Sequence, residues 1–152
     1  MSEADSACEL PAGPPTGAAG SRVLRFRRDF RWEGVPVAEY KQAGEHWRGV
    51  ARMVLVGDAG ERTTFHVRYF EVAPGGFTSL EEHAHEHAVV VLRGHGQVRL
   101  GDVVHDLGFG DTVYVAPREA HQFRNASATE PFGFLCVVDA QRDRPVVKPD
   151  NV

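Results

Sequence analysis

The sequence predicts an all-β protein, a sandwich or a barrel, and three observations predict it. Short apolar or alternating segments recur from about residue 23 onward, each bounded by Gly, Asp or Pro turn signals. No segment sustains a 3.6-residue apolar period over three turns. Sixteen glycines and nine prolines supply the many turns such a chain needs.

The elements follow in order. SRVLRFRRDFR, residues 21–31, interleaves arginines with Val23, Leu24, Phe26 and Phe30, the pattern of an edge strand with one solvated face. Segments 50–56 and 63–72 flank GDAGE and predict a hairpin. Pro74-Gly75-Gly76 is expected to break the chain before a histidine-rich stretch. Segments 89–92 and 97–100 flank Gly94-His95-Gly96, and Gly101-Asp102 turns the chain into 103–107. GFGD precedes a strand over 112–115, a further short strand spans 121–124, and 132–138 closes the series.

At 152 residues the chain holds one ordinary domain, expected over 21–140 with an N-terminal edge strand. Residues 1–20, rich in Pro, Gly, Ala and Ser, bury too little to offset the entropy of ordering and read as a disordered tail. Residues 141–152 read as an irregular arm, which with the basic N-terminal strip is expected to cover sheet edges in a homodimer.

Composition limits the partners. The chain is 42% hydrophobic and 25% charged, as a globular protein is, and its formal charge of -4 gives no general support for a nucleic-acid or anionic-membrane partner. No window approaches the ~18 apolar residues of a membrane span, and the first 20 residues lack a signal-peptide core. Two cysteines, Cys8 and Cys136, make no disulfide framework, so a reducing cytoplasm is expected. Cys136 reads first as a small buried hydrophobe and alternatively as a pocket-lining thiol that oxidation would alter.

The chemistry concentrates in SLEEHAHEHAVVVLRG. Glu81, His83, His85 and His87 stand at every second position and would share one face of a regular strand. The aliphatic run that follows must enter a core, where imidazoles without a metal or partners carry a heavy desolvation cost. Imidazole and carboxylate together suit divalent Fe, Mn, Ni, Cu or Zn. His46, His66, His95 and His105 are isolated and need no special role.

Two spaced motifs are similar to those of the cupin superfamily. Gly75, Glu81, His83, His87 and Gly94 have the spacing of the first cupin motif, and GDTVYVAPREAHQFRN, from Gly110 through His121 to Asn125, that of the second. The resemblance covers about residues 50–138 and is nearest to small single-domain conserved-barrel cupins. It implies a double-stranded β-helix, or jelly-roll barrel, with a metal held by His83, His87, His121 and Glu81. The match departs from the pattern in four places: Glu81 stands where a histidine is usual, His87 where a glutamate is usual, Pro117 one residue later than the proline of the second motif, and Arg118 where that motif has glycine. His85 is the alternative fourth ligand, or a residue behind the ligands that orients one of them or lines the entrance. Phe77, Tyr114 and Phe123 are candidates for the cavity wall, and Asn125 for a structural hydrogen-bonding role.

Four protein ligands leave two positions on a six-coordinate ion, enough to chelate a small molecule through adjacent oxygens or to bring it together with dioxygen. The expected function is an oxygenase-type metalloenzyme with a small organic substrate. The alternatives are a metal-dependent isomerase, lyase or decarboxylase, and a non-catalytic small-molecule-binding cupin. A purely structural barrel ranks last, because an eroded site would lose ligands and this one has a surplus.

Overall fold

The computed structural model describes residues 19–40 and 46–149, and within them every regular element is a β-strand. Residues up to 18, and with them Cys8 and most of the expected tail, lie outside the described residues. Two short strands, β1 (Phe26–Arg27) and β2 (Arg31–Trp32), form an N-terminal ribbon. The main sheet comprises β3 (Ala38–Glu39), β4 (Arg48–Val56), β5 (Phe65–Phe77), β6 (Glu81–Glu82), β7 (His87–Arg93) and β8 (Gly96–Leu100). It continues with β9 (Val103–Leu107), β10 (Thr112–Val115), β11 (His121–Arg124), β12 (Phe132–Asp139) and β13 (Val146–Val147).

Its backbone path is β10-β7-β12-β5-β11-β6-β13, with β4 also on β5, β3 on β4, β8 on β11 and β9 on β8. Every pairing is antiparallel. The sheet curls into the expected all-β jelly roll because the long β5 serves two neighbourhoods. Its first part pairs with β4 and β12, and its last residue, Phe77, pairs with Arg124 of β11.

The break expected at Pro74-Gly75-Gly76 does not occur, since β5 runs on to Phe77. Pro74 sits on an exposed stretch where its missing N–H forfeits nothing, and Gly75 absorbs the bend at φ 70°. The Gly75 amide donates to Ser127 O at 3.1 Å, so the bent chain stays attached.

Strand alternation divides β5 between two cores. Inward-facing Phe70 and Val72 join Val89, Val91, Phe123 and Phe134 in the barrel interior, with the Phe123 and Phe134 rings 4.6 Å apart. Outward-facing Tyr69 joins Met53 and Leu55 in a second cluster. Phe30 and Trp32 of the ribbon cover that cluster at ring distances of 6.0 and 5.1 Å from Tyr69. The basic strip therefore lies across a sheet face through its aromatic residues. Each large side chain buried in this way contributes roughly 1.5–3 kcal/mol.

The C-terminal arm is more regular than its sequence suggests. Val147 of β13 pairs with Glu81 and Val146 with Glu82, the Lys148 amide donates to Leu80 O, and the Lys148 ammonium lies 2.7 Å from the Glu82 carboxylate. The edge of β6 is thus covered by the chain's own C-terminal segment. Among the described residues no helix is long and apolar enough to cross a membrane.

Candidate metal centre

The histidine-rich stretch is not one regular strand. β6 ends at Glu82, β7 starts at His87, and residues 83–86 form a bend between them. This bend takes His83 and His85 out of regular strand alternation. His87 opens β7 and His121 opens β11, whose backbone pairs with Glu81. The bend is fastened from the second motif, where the Arg118 amide donates to His83 O at 2.7 Å. Arg118 adopts φ 64°, so it takes up the left-handed backbone of the glycine usual at that position.

His83, His87 and His121 come together, with their ligand nitrogens all within 4.8 Å of one another. The Nε2 atoms of His83 and His87 are 2.6 Å apart. The opposite ring nitrogens are occupied. His83 Nδ1 lies 2.7 Å from His85 O, and His121 Nδ1 lies 2.9 Å from Glu119 O. A carbonyl oxygen only accepts, so both Nδ1 atoms carry the proton and leave the Nε2 lone pairs free for a ligand. His87 Nδ1 lies 3.1 Å from Cys136 Sγ.

All three histidines are buried. Burial, reinforced by the neighbouring imidazoles, holds His87 down to about 2 and pushes His83 below its ordinary value. Burial likewise lowers His121, against the opposing pull of the Glu119 carbonyl and the Glu81 carboxylate. The rings are therefore neutral near pH 7, the form that binds metal.

Glu81 and His85 occupy different surroundings. Glu81 is buried, and its Oε1 accepts from the Tyr40 hydroxyl at 3.2 Å. Burial and the adjacent Glu81 charge push the Tyr40 hydroxyl well above its ordinary value, so it remains a donor. The His85 ring stacks on that of His83 at 3.7 Å with 6° between planes, and its Nδ1 meets Asp143 Oδ1 at 2.6 Å. Asp143 also accepts from the amides of Ala84 and His85 at 2.8 and 3.2 Å. The Ala84 amide and the His85 ring hold its carboxyl well below the usual carboxylate range.

The histidines lie in the wall of a cavity of about 170 Å³. Phe123 also lines it, as expected, whereas Tyr114 is exposed and Phe77 lies elsewhere, beside the guanidinium groups of Arg48 and Arg124. Tyr114 alternates with buried Val113 and Val115 on β10, so its side chain must point outward. Cys136 lines the cavity, touching both His87 and the Arg68 guanidinium, the latter at 3.3 Å. The pocket-lining reading of this thiol fits its position, and burial keeps it protonated by pushing its pKa up. Asn125 is a hub: its amide donates to Val72 O and Glu130 O, and its oxygen accepts from the Ser127 amide.

Among the cavity residues that sequence reasoning missed are Tyr40, Arg52, Arg68, Arg142 and Asp143. One of them left a readable signal. Arg68 stands in phase with Phe70 and Val72, a charge on the apolar face of a central strand.

The family model for the cupin domain matches residues 68–138, which include every histidine of the cluster. A curated relative from Rhodospirillum rubrum, named 1-methylthio-D-xylulose 5-phosphate methylsulfurylase, is 43% identical over 79% of this chain and 76% of its own. A solved cupin 2 conserved barrel domain protein from Rhodopseudomonas palustris is 42% identical, covers 86% of this chain and 88% of its own, and superposes with a TM-score of 0.76. A solved cupin-2 domain from Rhodospirillum rubrum is 39% identical over 84% of both chains, with a TM-score of 0.73. The motif spacing, the curled barrel with its inward histidines and these likenesses agree: the chain belongs to the cupin family.

Proposed function

We propose that this chain is a metal-dependent enzyme that acts on a small hydroxyketone at a centre held by His83, His87 and His121, with Glu81 as fourth donor. The carrying observation is the set of three buried, neutral imidazoles with converging nitrogens and their other ring nitrogens engaged. Three nitrogen donors and one carboxylate fit a divalent Fe, Mn, Ni, Cu or Zn ion. The group of ligand atoms within 4.8 Å comprises the three histidines and not the Glu81 carboxylate. Glu81 is favoured over His85 as fourth donor because it is backbone-paired with His121 and its charge acts on both His83 and His121. The His85 ring stacks on that of His83, and its Nδ1 is taken by Asp143. Its role is to pack the His83 ring in place while Asp143 holds it from behind.

When bound, such an ion polarises a substrate carbonyl or hydroxyl oxygen. The chain's own residues prepare the site. Tyr40 donates to Glu81 and fixes its rotamer, while Phe123, Phe134 and Val89 exclude water from the cavity wall. Cys136 supplies a protonated thiol beside His87. The name of the 43% identical relative supports a ketose substrate and a reaction at sulfur, in place of the oxygenase reaction that the ligand set first suggests.

The test is elemental analysis of the purified chain, together with turnover of 1-methylthio-D-xylulose 5-phosphate followed by NMR before and after chelation. One divalent ion per chain is expected, with turnover lost on chelation and metal lost in His121→Ala. Turnover that survives complete metal removal overturns the proposal. Oxygen uptake coupled to turnover returns the reaction to the oxygenase class.

A further inference from the structure

We propose that Arg52, Arg68 and Arg142 form an oxyanion subsite that takes the phosphate of a phosphomonoester substrate. This rests on the reading of the histidine cavity as a substrate site and assigns one of its ends. Arg52 comes from β4, Arg68 from β5 and Arg142 from the C-terminal arm, and all three line the cavity that contains His83, His87 and His121. In the β4/β5 register Arg52 stands opposite Phe70 and Val54 opposite Arg68, so the two arginines are diagonal neighbours.

Two of their donors are unspent. Arg68 is only 7% exposed, yet its Nε–H has no hydrogen-bond partner, and the buried Nε–H of Arg52 has none either. The remaining Arg68 contacts are weak for a buried cation: Cys136 Sγ at 3.3 Å and the Phe70 ring at 5.0 Å. Arg142 contacts His66 Nδ1 and Asp139 O, both at 3.2 Å. Among the described residues no carboxylate lies within 4.0 Å of any of the three guanidinium groups. The cavity's two carboxylates are engaged elsewhere, Glu81 with Tyr40, and Asp143 with His85 and two amides.

The outer surface treats arginine differently. Glu71 alone takes Arg31 and Arg93, and Glu61 takes Arg22. Converging, partly buried cations without a counter-charge repel one another and bear a desolvation cost that an incoming anion offsets. Guanidinium forks match the oxygens of a tetrahedral dianion. The subsite also lies at a useful distance from the centre, since Arg68 touches Cys136 and Cys136 touches His87. A phosphate among the arginines therefore directs the rest of a small substrate along this wall toward the imidazoles.

The test is calorimetric titration of the full chain, metal-free and zinc-loaded, with inorganic phosphate, acetate, D-xylulose 5-phosphate and D-xylulose. Phosphate is expected to bind both forms. Arg142→Gln and Arg52→Gln should each weaken it about tenfold, the scale of one charge-assisted hydrogen bond. D-xylulose 5-phosphate should bind at least about tenfold tighter than D-xylulose. Arg68→Gln should have the largest effect; because Arg68 is buried, the test is decided by the two less buried variants, checked by circular dichroism. Unchanged phosphate affinity in both of these variants overturns the subsite, as does acetate binding as tightly as phosphate. Loss of phosphate binding in His121→Ala, with the arginine variants unaffected, places the anion on the metal and overturns it too. Arginine-dependent phosphate binding in a protein that takes up no metal supports the subsite while refuting the proposed function.

Discussion

The two faces of β5 bury their side chains to different ends. On the outer face Tyr69 is wholly buried, its hydroxyl meets Glu71 Oε2 at 3.3 Å, and Glu71 in turn receives Arg31 and Arg93. Every polar group named there has a partner within the fold. On the inner face Arg68 is almost as deeply buried but keeps an unpartnered N–H, and across the cavity stand imidazoles whose free nitrogens face one another. Depth of burial therefore does not separate core from site in this barrel; what does is whether the buried polar groups are satisfied by the chain itself.

The largest expected effect lies on the outer face. Tyr69→Ala removes a fully buried ring and should cost about 3–5 kcal/mol in denaturant unfolding, while the metal bound per folded chain stays unchanged. Loss of metal from the folded variant would show that the two faces are one unit. The inner face should dominate the acid response. His83, His87 and His121 bind protons less readily when folded than when unfolded, so the unfolded chain gains protons first as pH falls. Stability of the metal-free protein should be complete above about pH 6.5 and fall progressively below it. Unfolding followed from pH 8 to pH 5 measures this, and a bound ion should shift the decline to lower pH.

Asp143→Asn should weaken metal binding by about tenfold, because Asp143 holds the bend and the His85 ring that packs on His83, with little change in barrel stability. Competition with a chelator reads this effect. The smallest change is a gain: Arg118→Gly removes a side chain from a left-handed backbone and should stabilise the fold by about 1 kcal/mol in thermal unfolding.

Much of the barrel was legible because its signals are local. Turn residues and alternation placed β4, β7, β8, β9, β10, β11 and β12 to within a few residues. Pro74-Gly75-Gly76 misled because a bend inside a long strand uses the same residues as a strand end. The three histidines were legible through their spacing, which reflects how far apart β7 and β11 must start to face one cavity. The direction of His85 was not, since it depends on Asp143, 58 residues away in an arm with no strand signal. Tyr40, Arg52 and Arg142 were hidden for the same reason. Each reaches the cavity through tertiary placement, and nothing in its neighbouring sequence marks it.

The placement of β13 has a kinetic consequence. This two-residue strand, with Asp143 just before it, closes one side of the bend that carries His83 and His85, the Arg118 amide fastening the other. A ladder so short opens locally at far less cost than the barrel unfolds. Release and uptake of an ion should then follow the fraying rate of the C-terminal arm and not the global unfolding rate. Hydrogen exchange at the Ala84 and Lys148 amides should keep the same time as metal exchange.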